Sequence, residues 1–169
     1  MHIVLRPLDW KDLDALVLHA NNEQISARLT DAFPFPYTEA HARGFIEMTM
    51  ANSPRNILAI TLDDAFIGAI GIHPKADIDR LNAEMGYWLA EPHWGKGYVT
   101  QAIGEMVDYT FAQFPEIERI FARPFGDNRP SQRVLEKAGF TLEARFEATL
   151  IKRGERKDEL VYALRRPQP

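Results

Sequence analysis

Glu91-Pro92-His93-Trp94-Gly95-Lys96-Gly97-Tyr98-Val99-Thr100 is the stretch on which the fold turns. Behind it, Ala83–Ala90 alternates as a strand does and is stopped by Pro92. Ahead of it, Val99, Ala102, Ile103, Met106, Val107, Thr110 and Phe114 recur at helical spacing and predict an amphipathic helix. The segment therefore carries a strand into a helix N-terminus. Glycines at 95 and 97 permit positive φ and close approach of a ligand to the backbone. The free amides of a first helical turn point at one spot, and the helix dipole adds partial positive charge there. Such a turn can hold a pyrophosphate, or it can be a tight turn with no ligand. A Walker loop does not fit the spacing, and a Rossmann fingerprint needs a third glycine where Thr100 stands.

Working outward, His2–Arg6 reads as a strand, and Asp9 caps a helix running to about Ala20. Asn21–Leu29 is expected as a second short helix, Thr30–Tyr37 as a loop with two prolines, and Thr38 with Ala40–Met50 as a third helix. Asn56–Leu62 and Phe66–His73 flank Asp63-Asp64-Ala65, a hairpin signal. Beyond the central helix come a strand at Ile117–Ala122 and a helix at Ser131–Ala138, with Pro130 at its start and Gly139 past its end. Phe140–Ile151 and Asp158–Leu164 form two last strands around Arg153-Gly154. The order predicts an α+β fold, a mixed sheet with helices on its faces. No repeat or linker divides the chain, so residues 1–169 are read as one domain.

Composition narrows the function. The 169 residues, 46% hydrophobic, suffice for a core without staples. The absence of cysteine excludes disulfides, thiolate zinc and cysteine nucleophiles, and the five histidines lack metal-ligand spacing, so no metal is expected. A net charge of -4 argues against general nucleic-acid binding. No apolar run approaches the ~20 residues that span a bilayer. Met1–Leu5 runs into Arg6, Pro7 and Asp9, unlike a signal peptide. A cytoplasmic protein, monomer or homodimer, is the expectation.

Three segments together resemble the GCN5-related N-acetyltransferase (GNAT) family, in its branch that includes ribosomal-protein N-terminal acetyltransferases. They are Ala83-Glu84-Met85-Gly86-Tyr87-Trp88-Leu89, His93-Trp94-Gly95-Lys96-Gly97-Tyr98, and Asn128-Arg129-Pro130-Ser131-Gln132-Arg133-Val134-Leu135-Glu136-Lys137-Ala138-Gly139-Phe140. Leu5-Arg6-Pro7-Leu8 looks like the branch's first strand. The wider family favours Gln or Arg where Trp94 stands and Gly or Ala where Val99 stands, and the branch often has Glu at Gln101. The resemblance implies a GNAT fold: a mostly antiparallel mixed sheet, splayed in the middle, with helices on both faces. It implies acetyl-CoA in the resulting cleft. The pantetheine would run along Tyr87, Trp88 and Leu89, and the pyrophosphate would sit on Trp94, Gly95, Lys96, Gly97, Tyr98, Val99 and Thr100. Asn128 and Ser131 would reach the cofactor from the last helix.

Acetyl transfer from a thioester to an amine needs a neutral amine, an exit for its proton, an oxyanion donor and a proton for the thiolate. Glu84 is the candidate base, expected near the Trp88 ring in a desolvated setting; the alternatives are a solvated glutamate near a strand start or one paired with an arginine. Backbone amides near Trp88–Leu89 are the oxyanion candidates by resemblance. Ser131 is the candidate on the thiolate side, and Asn128 a pantetheine contact; both residue types also suit helix capping. Phe33-Pro34-Phe35-Pro36-Tyr37 either walls an acceptor pocket or packs as an ordinary loop. Arg28 and Asp31 either face an acceptor or lie solvated, and Asp158 reads as a surface carboxylate at a strand start. The expected reaction is direct attack in a ternary complex, on acetyl-CoA by an N-terminal α-amine. The alternatives are a polyamine, aminoglycoside or metabolite amine as acceptor, and a non-catalytic CoA-binding module.

Overall fold

The computed structural model describes residues 2–169; Met1, and with it the first residue of the segment weighed as a signal peptide, lies outside the described residues. Seven strands make one sheet: β1 (Ile3–Arg6), β2 (Ile57–Leu62), β3 (Ala65–Pro74), β4 (Asn82–Leu89), β5 (Arg119–Ala122), β6 (Thr141–Lys152) and β7 (Glu155–Arg165). Their order is β1-β2-β3-β4-β5-β7-β6. Every neighbouring pair is antiparallel except β4 and β5. The helices are α1 (Leu13–Ala20), α2 (Glu23–Ser26), α3 (Glu39–Met50), α4 (Tyr98–Gln113) and α5 (Arg129–Lys137). None is long and apolar enough to cross a membrane among the described residues.

The strand period of two splits β3 and β4 between two cores. Ala102, Ile103 and Met106 of α4 and Leu135 of α5 pack with Ile70, Ile72, Met85 and Ile120 on one face. Leu16 and Ala20 of α1 and Ala42 and Ile46 of α3 pack with Ala59, Ala69 and Trp88 on the other. Helices therefore cover both faces, as the periodicity requires.

The feature that positions the site is where β4 and β5 part. Only Asn82↔Arg119, Ala83↔Ile120 and Glu84↔Phe121 are in register, while β4 continues beside β3 to Leu89↔Gly68. Pro124 follows two residues after β5 ends and has no N–H for a ladder; the chain there turns to β7, with Phe125 bridging Glu159. Residues 85–89 of β4 thus have no strand on their second edge.

Several boundaries differ from expectation, most at α1, α2 and β7. Asp9 caps only a single 3-10 turn, Trp10–Asp12, and α1 itself begins at Leu13. α2 is four residues long rather than Asn21–Leu29: the Asn22 side chain caps the amides of Gln24 and Ile25 and fixes its start, and beyond Ser26 the chain turns through tighter bonds from Arg28 N–H to Ile25 O and from Leu29 N–H to Ser26 O. β7 begins at Glu155 rather than Asp158, because Arg153 (φ 51) and Gly154 (φ 80) close a two-residue turn directly.

Asp158 is consequently not at a strand start but well inside β7, facing an irregularity of β6 between Phe146 and Leu150. Its Oδ1 accepts the N–H of Ala148 (φ 52) at 2.8 Å, and Oδ2 pairs with Arg145. Its backbone carbonyl accepts from Gly126 at 2.9 Å, and a Cβ on Gly126 would lie 2.7 Å from the Asp158 Cβ. The carboxylate pins a bulge. The Ala148 N–H, then Arg145, hold its pKa below the ordinary 3.8. A depressed carboxyl pKa adds stability that is complete above the unfolded value and fades as pH falls below it. Asp158→Ala is therefore expected to lower the urea midpoint at pH 7, and the gap from the parent protein should close as pH drops below 3.8. A gap independent of pH would show that the carboxylate does not pin the bulge.

Candidate active site

Glu91–His93 makes one short 3-10 turn, after which Gly95 (φ 73) and Gly97 (φ 81) take the left-handed conformation that glycine alone adopts without strain. Nothing lies within 4 Å of where a Cβ on either would sit, so packing does not dictate these glycines. Gly97 is the N-cap of α4 and offers no side-chain cap; the first helical bond runs from Gln101 N–H to Gly97 O at 3.2 Å. The amides of Tyr98, Val99 and Thr100 have no acceptor among the described residues. They lie at the positive end of a 16-residue helix. Lys96 stands exposed beside them.

Trp94, expected on the cofactor, spends its indole on the protein. Its Nε1 donates to the Leu89 carbonyl at 2.7 Å, and Arg28 stacks over its ring at 5.2 Å. This ties the turn to the end of β4. The His93 ring packs near His19 and Tyr98. Burial, then Lys96, lowers the His93 pKa, and burial, then His93, lowers that of His19.

On β4 the unpaired stretch presents Tyr87 to one face and Trp88 to the other. The Tyr87 hydroxyl meets Ser131 Oγ at 2.5 Å. Ser131 lies in the first turn of α5, where its N–H reaches Asn128 Oδ1 at 3.4 Å; Asn128 is the helix cap. Burial pushes the Tyr87 phenol up to about 12, against the opposing pull of the Ser131 hydrogen bond. Trp88 is wedged between Phe33 and Phe66, each ring 5.8 Å away.

Glu84 sits at the last β4–β5 pair, on the Trp88 side of the strand. The desolvated surroundings expected there are not found. Lys75 Nζ lies 3.5 Å and Arg123 3.8 Å from its carboxylate, the arginine-paired alternative. Long ion-pair distances leave its oxygens room for water. Glu84 and the Tyr87–Ser131 pair thus flank the parted strand from opposite faces.

The 33–37 loop does two jobs. Tyr37 is buried in the core and Phe33 packs on Trp88, while Phe33 and Phe35 also line a cavity of roughly 350 Å³. Across it stand Asp31, Lys152 and Arg153, the last two from the tip of the β6–β7 hairpin. Asp31 is exposed, as its solvated alternative has it, and its Oδ1 also accepts from Lys152 Nζ at 2.9 Å. Sequence reading missed this pair, whose members are 121 positions apart, and the Tyr87 side of the hydroxyl pair. The one available signal was a lysine at a strand end facing a turn. No group of three or more metal-ligating side chains is present among the described residues.

A strand parted from its parallel neighbour, beside a helix N-terminus with open amides, is geometry for a ligand with a diphosphate and an extended arm. The family model described as an acetyltransferase (GNAT) domain matches residues 2–141. The chain belongs to the GNAT acetyltransferase family. An N-acetyltransferase of Bacillus licheniformis, p20, of uncharacterized role, is 27% identical over 147 residues, 83% of this chain and 80% of that one. The ribosomal-protein-serine acetyltransferase of Escherichia coli is 33% identical over 103 residues, 61% of this chain and 51% of that one. Among solved GNAT structures, RimL, a ribosomal L7/L12 alpha-N-protein acetyltransferase in complex with coenzyme A, superposes with a TM-score of 0.84 at 22% identity, covering 98% of this chain and 94% of its own. This GNAT chain is accordingly an acyltransferase with acetyl-CoA as donor.

Proposed function

We propose that this GNAT enzyme acetylates the N-terminal α-amine of a protein or peptide in the cytoplasm, by direct attack on acetyl-CoA in a ternary complex. The observation that carries the reading is the arrangement around residues 84–89. A hydroxyl pair stands on one side of the parted strand, and a carboxylate and an open cavity stand on the other. Acetyl-CoA bound with its diphosphate on the amides of 98–100 would lay its thioester along Tyr87–Leu89. The amine would enter past Phe33, and the thiolate would leave toward Tyr87 and Ser131. The ribosomal-protein relative supports a protein acceptor. A polycationic acceptor would call for unbalanced carboxylates, but Glu23 and Asp31 face Arg153 and Lys152.

In this reading Glu84 takes the amine's proton through water. An α-amine of pKa about 8 is already roughly a tenth neutral at pH 7, so the base has little to supply. Glu84→Gln is expected to lower kcat by about ten-fold at pH 7, with the deficit shrinking as pH rises past the amine pKa, and to leave the CoA Kd unchanged. Unchanged kcat would remove Glu84 from the mechanism. The reading itself is tested by incubation with acetyl-CoA and N-terminal peptides, then mass spectrometry to place the acetyl group. Turnover only with polyamines or other small amines, or none with any amine, would overturn it.

A further inference from the structure

We propose that the cavity beneath the 30–37 loop is a selectivity pocket for a carboxylate carried near the acceptor's amine, bound by the Lys152 ammonium in place of Asp31. The proposal rests on the peptide reading above and names its substrate class: a peptide with an acidic residue beside its N-terminus.

Lysine is almost never buried unless paired. The Lys152 side chain is 7% exposed, whereas that of its partner Asp31 is 86% exposed. The two ends of the ion pair therefore behave differently. Asp31 can leave for water at little cost, because exposed carboxylates gain little from such pairs. The Lys152 ammonium cannot leave, and unpaired it would be a desolvated charge. It is a fixed cation that needs an anion, held at present by a replaceable one. Of its three N–H donors only one meets an acceptor among the described residues.

The surroundings are built to present it. Arg153 follows in the hairpin turn with φ 51, a position that asparagine or glycine ordinarily fills. Its guanidinium donates to Ser26 Oγ at 3.2 Å and lies 3.6 Å from Glu23, so it fastens the hairpin tip to α2 and is itself committed. What remains for a ligand is a single ammonium, and the anion it now holds is itself a carboxylate, so a carboxylate is the ligand its setting already accepts. Phe33 forms part of the cavity wall and also packs on Trp88 of the unpaired β4 stretch. The pocket and the candidate transfer site thus share a wall, so one short peptide can span both.

The test is calorimetric titration of the CoA-saturated protein with N-acetylaspartate α-amide, its asparagine counterpart and inorganic phosphate. The aspartate compound should bind at least about ten-fold tighter than the asparagine compound, the discrimination of one charge-assisted hydrogen bond. Asp31→Asn, which removes the competing carboxylate, should tighten it further, and Lys152→Met should erase the preference. A preference that survives Lys152→Met, no preference in Asp31→Asn, or phosphate binding in its place would overturn the pocket. Peptides Ala-Asp-Ala-Ala and Ala-Asn-Ala-Ala separate this from the parent reading. If neither is acetylated yet the Lys152-dependent binding holds, the peptide reading and the substrate class named from it fall, and only the carboxylate site on Lys152 stands. If both are acetylated equally and no such binding is found, the reading stands and the pocket falls.

Discussion

Gly97→Trp is expected to weaken acetyl-CoA binding by at least about 100-fold, while Gly97→Ala weakens it less than about ten-fold and both remain folded. The pair separates two roles of one residue. At φ 81 any side chain is strained, which costs about 1–2 kcal/mol and lowers Tm by roughly 2–8 °C in a chain of this size. That cost falls on both variants alike. A Cβ at Gly97 meets nothing within 4 Å, so alanine adds no clash with the protein. Tryptophan projects an indole into the space the amides of Tyr98, Val99 and Thr100 face. Two lost bonds from amides to a charged diphosphate, at about 1.5–3 kcal/mol each, suffice for the stated effect. Equilibrium binding of CoA checks affinity and thermal denaturation checks the strain. Equal affinity in the two variants would place the diphosphate elsewhere on the molecule.

The turn around Gly95 and Gly97 was legible because its requirements are local. Positive φ, a strand stop at Pro92 and a helical period beyond are all written within about 25 consecutive residues, and local signals survive any tertiary arrangement. Strand and helix existence was legible for the same reason, down to the Asp63-Asp64 turn with its two positive φ values. Sequence could not read what depends on two distant segments meeting. The grip of Asp158 on Ala148 and the Lys152–Asp31 pair are contacts decided by the path of the chain. Glu84 shows the limit inside a single strand. Alternation put it on the Trp88 face, but its neighbours Lys75 and Arg123 arrive from beyond β3 and β5.

Tyr87→Phe should lower kcat by about 100-fold or more and leave the Kd of CoA close to the parent value. The substitution keeps the ring that fills the cleft wall and deletes only the hydroxyl bonded to Ser131. A thiolate leaving group has a pKa near 8.5, so it needs a donor that still holds its proton across the working range. Burial gives Tyr87 that property by moving its phenol from 10 to about 12. The wild-type kcat should therefore rise as the amine deprotonates and show no alkaline decline near pH 10, where an ordinary tyrosine would ionise. If Tyr87 is that donor, Ser131 would act on it in a definite sense, since its hydrogen bond pulls the phenol pKa down. Ser131→Ala should thus weaken transfer less than Tyr87→Phe and displace any alkaline limb upward. The double variant should be no slower than Tyr87→Phe alone, because groups acting as a unit are not additive. Additive losses would assign the two hydroxyls separate tasks. Full activity in Tyr87→Phe would make the pair a packing contact and leave the thiolate to solvent.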